Sequence, residues 1–475
     1  MVDNQTTIFE MIYPTYKIPK PIRTIELFGG YGSQLLALKY IGANVEQWKL
    51  CEWAIKSIQA YKDLHCEDDN TNYSKDLTTE EIKEYLYKKG ISSNYNDPMT
   101  KEQIKRLGEK QVRTIYNNIQ ATHNLVNIQQ VKGKDLEIVD SDKFTYLLTY
   151  SFPCQDLSLA GKRQLMSDTS TRSGLLWEVE RILTECKELN QLPDVLLMEN
   201  VIQVHGEGAK EDFNKWQLRL EELGYKNYWQ DLIATDYGIP QTRNRTFMVS
   251  ILGDYNYTFP KPIPLKLKLK DLLEDNVDEK YYLSDSMKQY IFSENDKYKV
   301  NKNSLKLNRD IALAIKNDEK VIRKYGLFDK NNKVHQAGSV YDKEGFAPTL
   351  DTGTGGYRQP MIEELYIKNN TKQGYLKATE GDGIDLCQPN SETRRGRVQK
   401  NKTQTLTTMG GENNGVVSKD LRIRKLTPKE CFRLMGVKDE DFEKCAKNQS
   451  DSSLYHLAGD SIVVNVLMAI FKEMI

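Results

Sequence analysis

Residues 22–42 read IRTIELFGGYGSQLLALKYIG, and their pattern is the clearest indication of the fold class. It begins with a strand-length run, Ile22–Leu27, in which the first, fourth and sixth residues are apolar. The run ends in a turn that contains Gly30 and Gly32, and residues 34–41 then carry leucine and isoleucine at helical spacing. A strand, a glycine turn and a helix in this order are typical of the first unit of a parallel α/β sheet.

The same alternation continues through the first half of the chain. Strand-like runs occur at residues 47–51, 144–150 and 194–198, and helical spacing occurs at residues 54–61, 175–182 and 213–223. Strands that alternate with helices of this length predict an α/β fold with a doubly wound, mostly parallel sheet. Residues 65–124 interrupt the pattern with a polar composition, and Thr78-Thr79-Glu80-Glu81 indicates the start of a helix within them. We therefore expect an inserted, partly helical segment there.

A different kind of sequence begins near residue 259. From there to about residue 420 the chain has short polar segments, Gly and Thr turns and basic clusters, without regular alternation of strands and helices. Helical periodicity returns at Thr427, and an apolar segment closes the chain. We expect a first domain at residues 1–258, with its insertion at about 65–124, a smaller mixed domain at 259–420, and a C-terminal segment at 421–475.

Composition and charge narrow the class of protein. The chain has 475 residues, of which 39% are hydrophobic and 28% charged, as is typical of a soluble globular protein with two or three domains. Its 67 Lys and Arg balance its 67 Asp and Glu, so any nucleic-acid surface must be a local patch. The beginning, MVDNQTTIFEMIYP, lacks the apolar core of a signal peptide, and the apolar run at residues 462–471 is too short to cross a bilayer. We therefore expect a cytoplasmic protein.

Cysteine and histidine usage argues against a metal centre. The 7 cysteines are scattered, with no two within four residues of each other, and only 5 histidines are present. Zinc sites are usually built from closely spaced pairs of these residues. The pattern therefore predicts no metal site and a set of reduced thiols, each of which is by default a small buried apolar group.

The glycine turn and the end of the next strand together suggest an adenosine site. Gly30 and Gly32 permit a tight turn that exposes helix N–H groups, although such a turn also occurs as plain packing. Glu52 ends the next strand, where a carboxylate can accept both ribose hydroxyls, and Trp53 offers an aromatic face to an adenine. A solvated surface acid would look the same as Glu52. Since neither GxGxxG nor GxxxxGK[ST] occurs, an adenosine without phosphates fits better than NAD or ATP.

A lone thiol follows the strand-like run at residues 144–150. Cys154 lies at the carboxyl end of a predicted strand, where parallel sheets usually bind their ligands. Its thiol would need nearby cations to become a thiolate. Glu199 closes a different strand and can reach the same edge of the sheet, although a capping acid is the plain alternative. Arg243 and Arg245 occupy alternate positions and hence one side of an extended segment, as they also would on an ordinary surface strand.

Five separated motifs resemble, in order, those of the DNA (cytosine-5)-methyltransferase family. They are FGGYG at 28–32, PCQ at 153–155, ENV at 199–201, QTRNR at 241–245 and LAGDSIVV at 457–464. The resemblance runs from residue 22 to about residue 251 and again from 422 to 471. It is specific, because each motif stands at a strand end or loop in the family's order. It implies a Rossmann-like methyltransferase domain, S-adenosylmethionine as the cofactor and double-stranded DNA as the substrate.

The resemblance also implies a role for each motif. In such enzymes Cys154 attacks C6 of a cytosine that has left the duplex, Glu199 holds N3, and Arg245 braces the base or the thiolate with Arg243 nearby. The catalytic set is completed by the motif residues Pro153, Gln155 and Asn200. The cofactor residues are Phe28, Gly30 and Gly32 lining the pocket, Glu52 at the ribose, Trp53 on the adenine, Asn127 at the adenine amino group, and Asp460 and Ser461 returning from the C-terminal segment.

Four positions depart from the family's pattern. Glu26 stands where Asp is common, and Ser33 replaces a frequent third glycine. Asn127 keeps an acceptor oxygen but loses the charge of the usual Asp, and Asp460 replaces the usual Asn. None of the four changes removes the nucleophile.

By the same resemblance, residues 259–420 would be a target-recognition domain. Its basic residues would contact DNA phosphates, and turns at 349–356 and 405–411 would enter the grooves. The predicted DNA-binding residues are Arg394, Arg395, Arg397 and Lys400, although ordinary solvated charges would look alike. We expect a monomer without membrane association, with a cognate restriction endonuclease as a partner if the enzyme belongs to a restriction–modification system.

Other functions remain open to the sequence alone. An RNA (tRNA) cytosine-5 methyltransferase would use the same scaffold, but a second domain of this size favours duplex DNA. A non-catalytic DNA-binding regulator would not need Cys154, Glu199 and the glycine turn. A thiol hydrolase that pairs the cysteine with His123, His205 or His456 leaves the ordered motifs unexplained. An adenine-N6 methyltransferase would need an acidic or Asn-led Pro-Pro-aromatic motif, which the sequence lacks.

Overall fold

The computed structural model describes residues 13–153, 173–281 and 422–475 as continuous stretches. Between them it describes residues 323–325, 339–341, 343, 345–350, 359–368, 372, 375–379, 383–385, 398–399 and 414–416. The chain divides into two compact units. The first unit comprises residues 1–239, 243–266 and 432–475, and the second comprises residues 240–242 and 267–431.

A six-stranded sheet forms the centre of the first unit. Its strands are β1 (Ile22–Leu27), β2 (Val45–Cys51), β3 (Thr145–Tyr150), β4 (Val195–Val201), β5 (Tyr225–Ile233) and β6 (Asn244–Leu252). Their order is β2-β1-β3-β4-β6-β5, with β1 to β4 parallel and β6 antiparallel to both of its neighbours. The predicted mostly parallel α/β sheet is confirmed. The sequence pattern does not predict the reversed direction of β6, which follows from its short connection to β5.

Helices complete the core of this sheet, and the described residues contain eleven α-helices. In chain order, the α-helices of the described residues are α1 (Ser33–Tyr40), α2 (Ile55–His65), α3 (Thr79–Lys89), α4 (Lys101–Lys105), α5 (Glu109–Ala121), α6 (Leu176–Glu188), α7 (Lys210–Leu223), α8 (Pro428–Leu434), α9 (Asp439–Ala446), α10 (Asp451–Asp460) and α11 (Val464–Lys472). Strands β1, β3 and β4 are buried along their whole lengths, as expected of strands covered on both faces. In the C-terminal part of the chain, α11 packs against α1 and α9 packs against α2.

The predicted insertion folds as helices α3, α4 and α5 with a small apolar core. At the start of α3, the Thr78 hydroxyl accepts a hydrogen bond from the Glu81 N–H, while the Glu81 carboxylate accepts one from the Thr78 N–H. This reciprocal capping box confirms the helix start predicted from the sequence. The core of the insertion contains Ile82 and Leu86 and joins α2 through Ile58, so the insertion is packed against the first unit rather than tethered to it.

The second unit is built mainly from short strands. Its described strands are β7 (Arg323–Tyr325), β8 (Val340–Tyr341), β9 (Met361–Lys368), β10 (Tyr375–Ala378), β11 (Gly383–Asp385), β12 (Val398–Gln399), β13 (Asn414–Val416) and β14 (Arg422–Lys425). Five of them form a sheet in the order β10-β9-β8-β7, with β14 also paired to β9, and three form a sheet in the order β12-β11-β13. The predicted DNA-binding residues Arg394, Arg395, Arg397 and Lys400 lie outside the described residues. The assignment of residues 259–420 to target recognition stays a prediction.

One helical stretch, Asp451–Lys472, is long and apolar enough to be considered as a membrane span. However, 78% of its most apolar window is buried inside the protein. The core helices of globular proteins have the same property, so this stretch gives only weak support for a membrane segment.

Candidate active site

The carboxylate of Glu52 connects the glycine turn after β1 to the start of α2. Glu52 Oε2 accepts a hydrogen bond from the Gly30 N–H at 3.0 Å, and Oε1 accepts one from the Ala54 N–H at 2.7 Å. The surrounding protein excludes water and raises the pKa of Glu52 to about 7, although the two N–H groups oppose this shift. Each oxygen keeps a lone pair beyond these bonds, so the carboxylate can still accept hydrogen bonds from a ligand.

The two glycines of the turn have different structural roles. Both have left-handed backbones, with φ of +56° at Gly30 and +81° at Gly32. A Cβ atom on Gly30 would meet nothing within 4 Å, whereas one on Gly32 would lie 2.5 Å from His65 Nε2 and 2.6 Å from the Tyr61 ring. Gly30 therefore borders open space beside Glu52, and Gly32 permits close packing of α2. Phe28 also has a positive φ of 57°, which turns the chain out of β1.

The C-terminal segment reaches the same turn through Ser461 and Arg243. The Ser461 hydroxyl donates to the hydroxyl oxygen of Tyr31 at 2.8 Å. The guanidinium of Arg243 donates to the carbonyl oxygens of Gly459 at 3.1 Å and Ser461 at 2.7 Å. Arg243 is only 5% exposed, so these contacts are shielded from water. In this structure Arg243 therefore holds the backbone of the C-terminal segment.

Asp460 interacts electrostatically with both the predicted cofactor residues and the predicted catalytic residues. It is the last residue of α10 and is exposed to solvent. Nevertheless, the surrounding protein disfavours the charged form by desolvation and raises the pKa of Asp460 to about 6; Glu199 adds to this shift, whereas Arg243 and Arg245 oppose it. Asp460 in turn contributes to the raised pKa of Glu52. An exposed carboxylate whose pKa depends on several neighbouring charges is expected in a cleft. Asp460, Glu52, Glu199 and the two arginines therefore lie in one region of the first unit.

Glu199 is held by partners on both of its carboxylate oxygens. It is 5% exposed and lies inside β4. Its Oε2 accepts a hydrogen bond from the Ser151 hydroxyl at 2.6 Å, and its Oε1 lies 3.2 Å from Arg245 Nε. The antiparallel register pairs Val201 with Arg245, which explains why the arginine reaches the glutamate. The hydrogen bond from Ser151 and the charge of Arg245 thus orient the carboxylate, while Oε1 accepts no hydrogen bond from the described residues and can accept one from a ligand.

Asn200 fixes the chain just before the predicted nucleophile. Its side-chain Nδ2 donates to the carbonyl oxygen of Phe152 at 3.0 Å, and its Oδ1 accepts from the Val201 N–H at 2.9 Å. The described chain continues to the half-buried Pro153 and stops there. Cys154 and Gln155 lie outside the described residues. Their predicted roles stay predictions.

Two predicted cofactor residues are engaged in local structure. Asn127 Oδ1 accepts from the Gln129 N–H at 3.1 Å and so caps the short helical turn Ile128–Gln130. Trp53 packs against the apolar core of the insertion, and its carbonyl oxygen accepts from the Ser92 N–H at 2.8 Å. Their predicted contacts with an adenine stay predictions.

Sequence reasoning missed two residues that orient the site. Ser151 holds Glu199, and its place three residues before Cys154 is the signal that could have found it. Asn124 brackets the backbone of Glu52, since its Oδ1 accepts from the Glu52 N–H at 3.1 Å and its Nδ2 donates to the Glu52 carbonyl at 2.9 Å. No sequence pattern points to Asn124, because it meets Glu52 only through the pairing of its segment with β2.

The described cysteines are poorly suited to nucleophilic attack. Cys51, Cys66, Cys186, Cys431 and Cys445 are free thiols. Burial raises the pKa of Cys66 to about 11 and that of the thiols of Cys51, Cys186 and Cys445 as well. A raised pKa disfavours the reactive thiolate. Within the described parts of the chain, no group of three or more His, Cys, Asp or Glu side chains could hold a metal ion.

Comparison with known proteins points to one family. The family model described as C-5 cytosine-specific DNA methylase matches residues 89–475. The type II methyltransferase M2.ScrFI of Lactococcus lactis subsp. cremoris is 32% identical over 462 residues, which cover 95% of this chain and 99% of that protein. The orphan methyltransferase M.SssI of Spiroplasma monobiae is 34% identical over 350 residues, which cover 73% of this chain and 83% of that protein.

A solved structure supports the fold. The S. pombe Dnmt2 methyltransferase superposes with a TM-score of 0.51 and 16% identity, over 94% of this chain and 96% of that chain. At this identity the likeness concerns the fold alone, which is the Rossmann-like arrangement expected from the sequence.

Proposed function

Because the chain belongs to the C-5 cytosine-specific DNA methylase family, we propose that it methylates cytosine through a covalent bond between Cys154 and C6 of the base. The chain is a DNA (cytosine-5)-methyltransferase. The observation that carries the proposed mechanism is the fixed Glu199 carboxylate. It lies between the Ser151 hydroxyl and Arg245, on a strand whose next residue, Asn200, anchors the segment that leads to Cys154.

The proposed chemistry begins with a cytosine that has left the duplex, since C5 and C6 are unreachable inside the base stack. The Cys154 thiolate adds to C6, which makes C5 nucleophilic. Glu199 holds a proton at N3 and so stabilises the charge that develops on the ring, while Arg245 keeps the carboxylate oriented. After C5 has taken the methyl group, water accepts the C5 proton, the bond between sulfur and C6 breaks to restore the thiolate, and 5-methylcytosine is released.

S-adenosylmethionine is the proposed cofactor, and it would supply the methyl group as a positively charged sulfonium. Gly30 borders open space beside the Glu52 carboxylate, which has lone pairs left for ribose hydroxyls. Glu52 and Asp460 both have raised pKa values, of about 7 and about 6. A ligand that brings positive charge would favour their ionised forms. The residues therefore fit an adenosine that carries a sulfonium and no phosphates.

The second unit is the proposed reader of the DNA sequence. It contains the positions of the basic residues Arg394, Arg395, Arg397 and Lys400, which would contact phosphates. We propose that the enzyme modifies duplex DNA in the cytoplasm as a monomer, in a restriction–modification system or as an orphan enzyme. Relatives of both kinds are among the similar proteins.

A covalent trap tests the mechanism. DNA that contains 5-fluorocytosine at the target should form a stable adduct in the presence of S-adenosylmethionine, because fluorine prevents the loss of a proton from C5. Peptide mapping should place the adduct on Cys154, and Cys154→Ala should abolish it. Cys66→Ala is the matched control, because this half-buried thiol has a pKa raised to about 11 and should not matter.

The outcomes separate the competing functions. An adduct on another residue, or turnover by Cys154→Ala, would refute the covalent route. Trapping by transfer RNA that contains 5-fluorocytosine, but not by DNA, would refute the proposed duplex substrate.

A further inference from the structure

The insertion brings one loop next to the proposed cofactor site. The loop joins α3 to α4 and is bound to the segment that follows Glu52. The Ser92 N–H donates to the Trp53 carbonyl at 2.8 Å, and the Ile55 N–H donates to the Ser92 carbonyl at 2.9 Å. These bonds continue the edge of β2 into the insertion. The loop is therefore held in place beside Glu52.

Tyr95 is the residue of this loop that contacts the C-terminal segment. Its ring lies over the ring of His456, with centroids 3.6 Å apart and an angle of 30° between the planes. His456 is on α10, the helix that ends at Asp460, and it is 7% exposed. Tyr95 also has a positive φ of 66°, a backbone conformation that a tyrosine rarely adopts. Strained residues of this kind often mark functional positions.

The hydroxyl of Tyr95 is buried without a hydrogen-bond partner among the described residues. Burial raises its pKa, and the carboxylates of Glu52 and Asp460 raise the pKa further, whereas the nearby side chains of Ser453 and Ser57 lower it. The phenol therefore stays protonated at neutral pH and remains a donor. The side chains of Ser453 and Ser57 lie near the hydroxyl but form no well-aligned hydrogen bond with it, so a bound ligand that offers a better acceptor would be favoured at this position.

We propose that Tyr95 is a binding residue for the cofactor and donates a hydrogen bond to a ribose hydroxyl of S-adenosylmethionine. A ribose hydroxyl is both a donor and an acceptor. It can donate to the Glu52 carboxylate while its oxygen accepts the bond from Tyr95. His456 is a positioning residue, because its ring stacks on Tyr95 and sets the direction of the hydroxyl. This inference rests on the proposed cofactor.

Removing only the hydroxyl tests the contact. Tyr95→Phe should weaken the binding of S-adenosylhomocysteine, measured by calorimetry without turnover, by about 10-fold. The Tm of the ligand-free protein should stay the same or rise, because the variant no longer buries an unpaired hydroxyl. Tyr85→Phe is the matched control, since Tyr85 is in the same insertion and its hydroxyl is paired with Gln120. It should leave the affinity unchanged.

Truncated ligands locate the contact on the cofactor. The 2′-deoxyribosyl and 3′-deoxyribosyl analogues of S-adenosylhomocysteine each lack one ribose hydroxyl. For one of the two, the wild type and Tyr95→Phe should bind equally well, since the partner of the phenol is missing. If Tyr95→Phe weakens all three ligands by the same factor, the phenol does not contact the ribose and the inference is overturned.

The role of His456 is tested by two variants. His456→Phe keeps an aromatic ring against Tyr95 and should retain the affinity, whereas His456→Ala should lower it about as much as Tyr95→Phe does. Equal affinity in wild type and Tyr95→Phe would overturn the inference and leave the proposed function intact. A wild type that binds neither S-adenosylmethionine nor S-adenosylhomocysteine would instead contradict the proposed function itself.

Discussion

Glu26 is a carboxyl group buried beneath the glycine turn. It lies in β1 with 0% exposure, accepts a hydrogen bond from the Tyr61 hydroxyl, and accepts another from the Leu35 N–H at 3.2 Å. Burial raises its pKa to about 7, although both hydrogen bonds oppose the shift. The longer Glu therefore fits where the family commonly has Asp, because Tyr61 and the start of α1 supply partners for it.

The raised pKa of Glu26 makes the stability of the protein depend on pH. A glutamate in an unfolded chain has a pKa of about 4.3. Between this value and the folded value of about 7, the folded protein binds the extra proton, so the contribution of Glu26 to the free energy of unfolding falls as pH rises. Relative to Glu26→Gln, the wild type should lose roughly 3 kcal/mol between pH 4.5 and pH 8. Denaturant titrations measure this difference, and parallel pH curves for the two proteins would contradict it.

Site residues that directly follow a strand-like run could be predicted from the sequence. Residues that reach the site only through contacts with distant parts of the chain could not. Glu199 and Glu52 follow apolar strand runs, so their place at one edge of the sheet is a consequence of the parallel topology. Asn124 and Tyr95 belong to the insertion, whose composition predicts only helices. Their contacts arise because Asn124 pairs with Leu50 of β2 and Ser92, in the loop of Tyr95, pairs with Ala54 beyond it, and no spacing in the sequence encodes these pairings.

Among the elements, the beginning of strand β6 is notable for two nearby arginines with different tasks, one just before the strand and one within it. Arg243, which precedes it, binds the carbonyls of the C-terminal segment, whereas Arg245 lies against Glu199. Arg243→Lys should weaken the binding of S-adenosylmethionine by about 10-fold or more, because one ammonium cannot keep both carbonyl contacts. Arg245→Lys should mainly lower kcat and leave this affinity nearly unchanged. Calorimetry and single-turnover kinetics separate the two effects, and the same kinetic defect in both variants would argue against this division.

Element types were easier to predict than their directions. The strand at Ile22–Leu27 and the helix start at Thr78 are as expected from the sequence. The antiparallel β6 was not predicted, because the side-chain period of a strand is the same in both directions. Only the short connection from β5 determines which way it runs.

For the molecule as a whole, basic and acidic residues are equal in number, so we expect DNA to be bound by local basic patches rather than by the net charge. Replacing Arg394, Arg395 and Arg397 with Ser should weaken DNA binding and reduce the salt slope of the affinity by about one per lost phosphate contact. Cofactor affinity should not change. Serine at Lys105, Arg106 and Lys110, which are exposed on the insertion, is the charge-matched control. Equal salt slopes for both triple variants would assign DNA contacts elsewhere.

The first unit is discontinuous along the chain, and this has a consequence for how the enzyme is made. Helix α11, which packs against α1, is translated only after all of residues 267–431. A nascent chain therefore lacks the helix that packs against α1, and the segment with Asp460 and Ser461 before it, until synthesis is almost finished. Chains that terminate before this helix should consequently be inert.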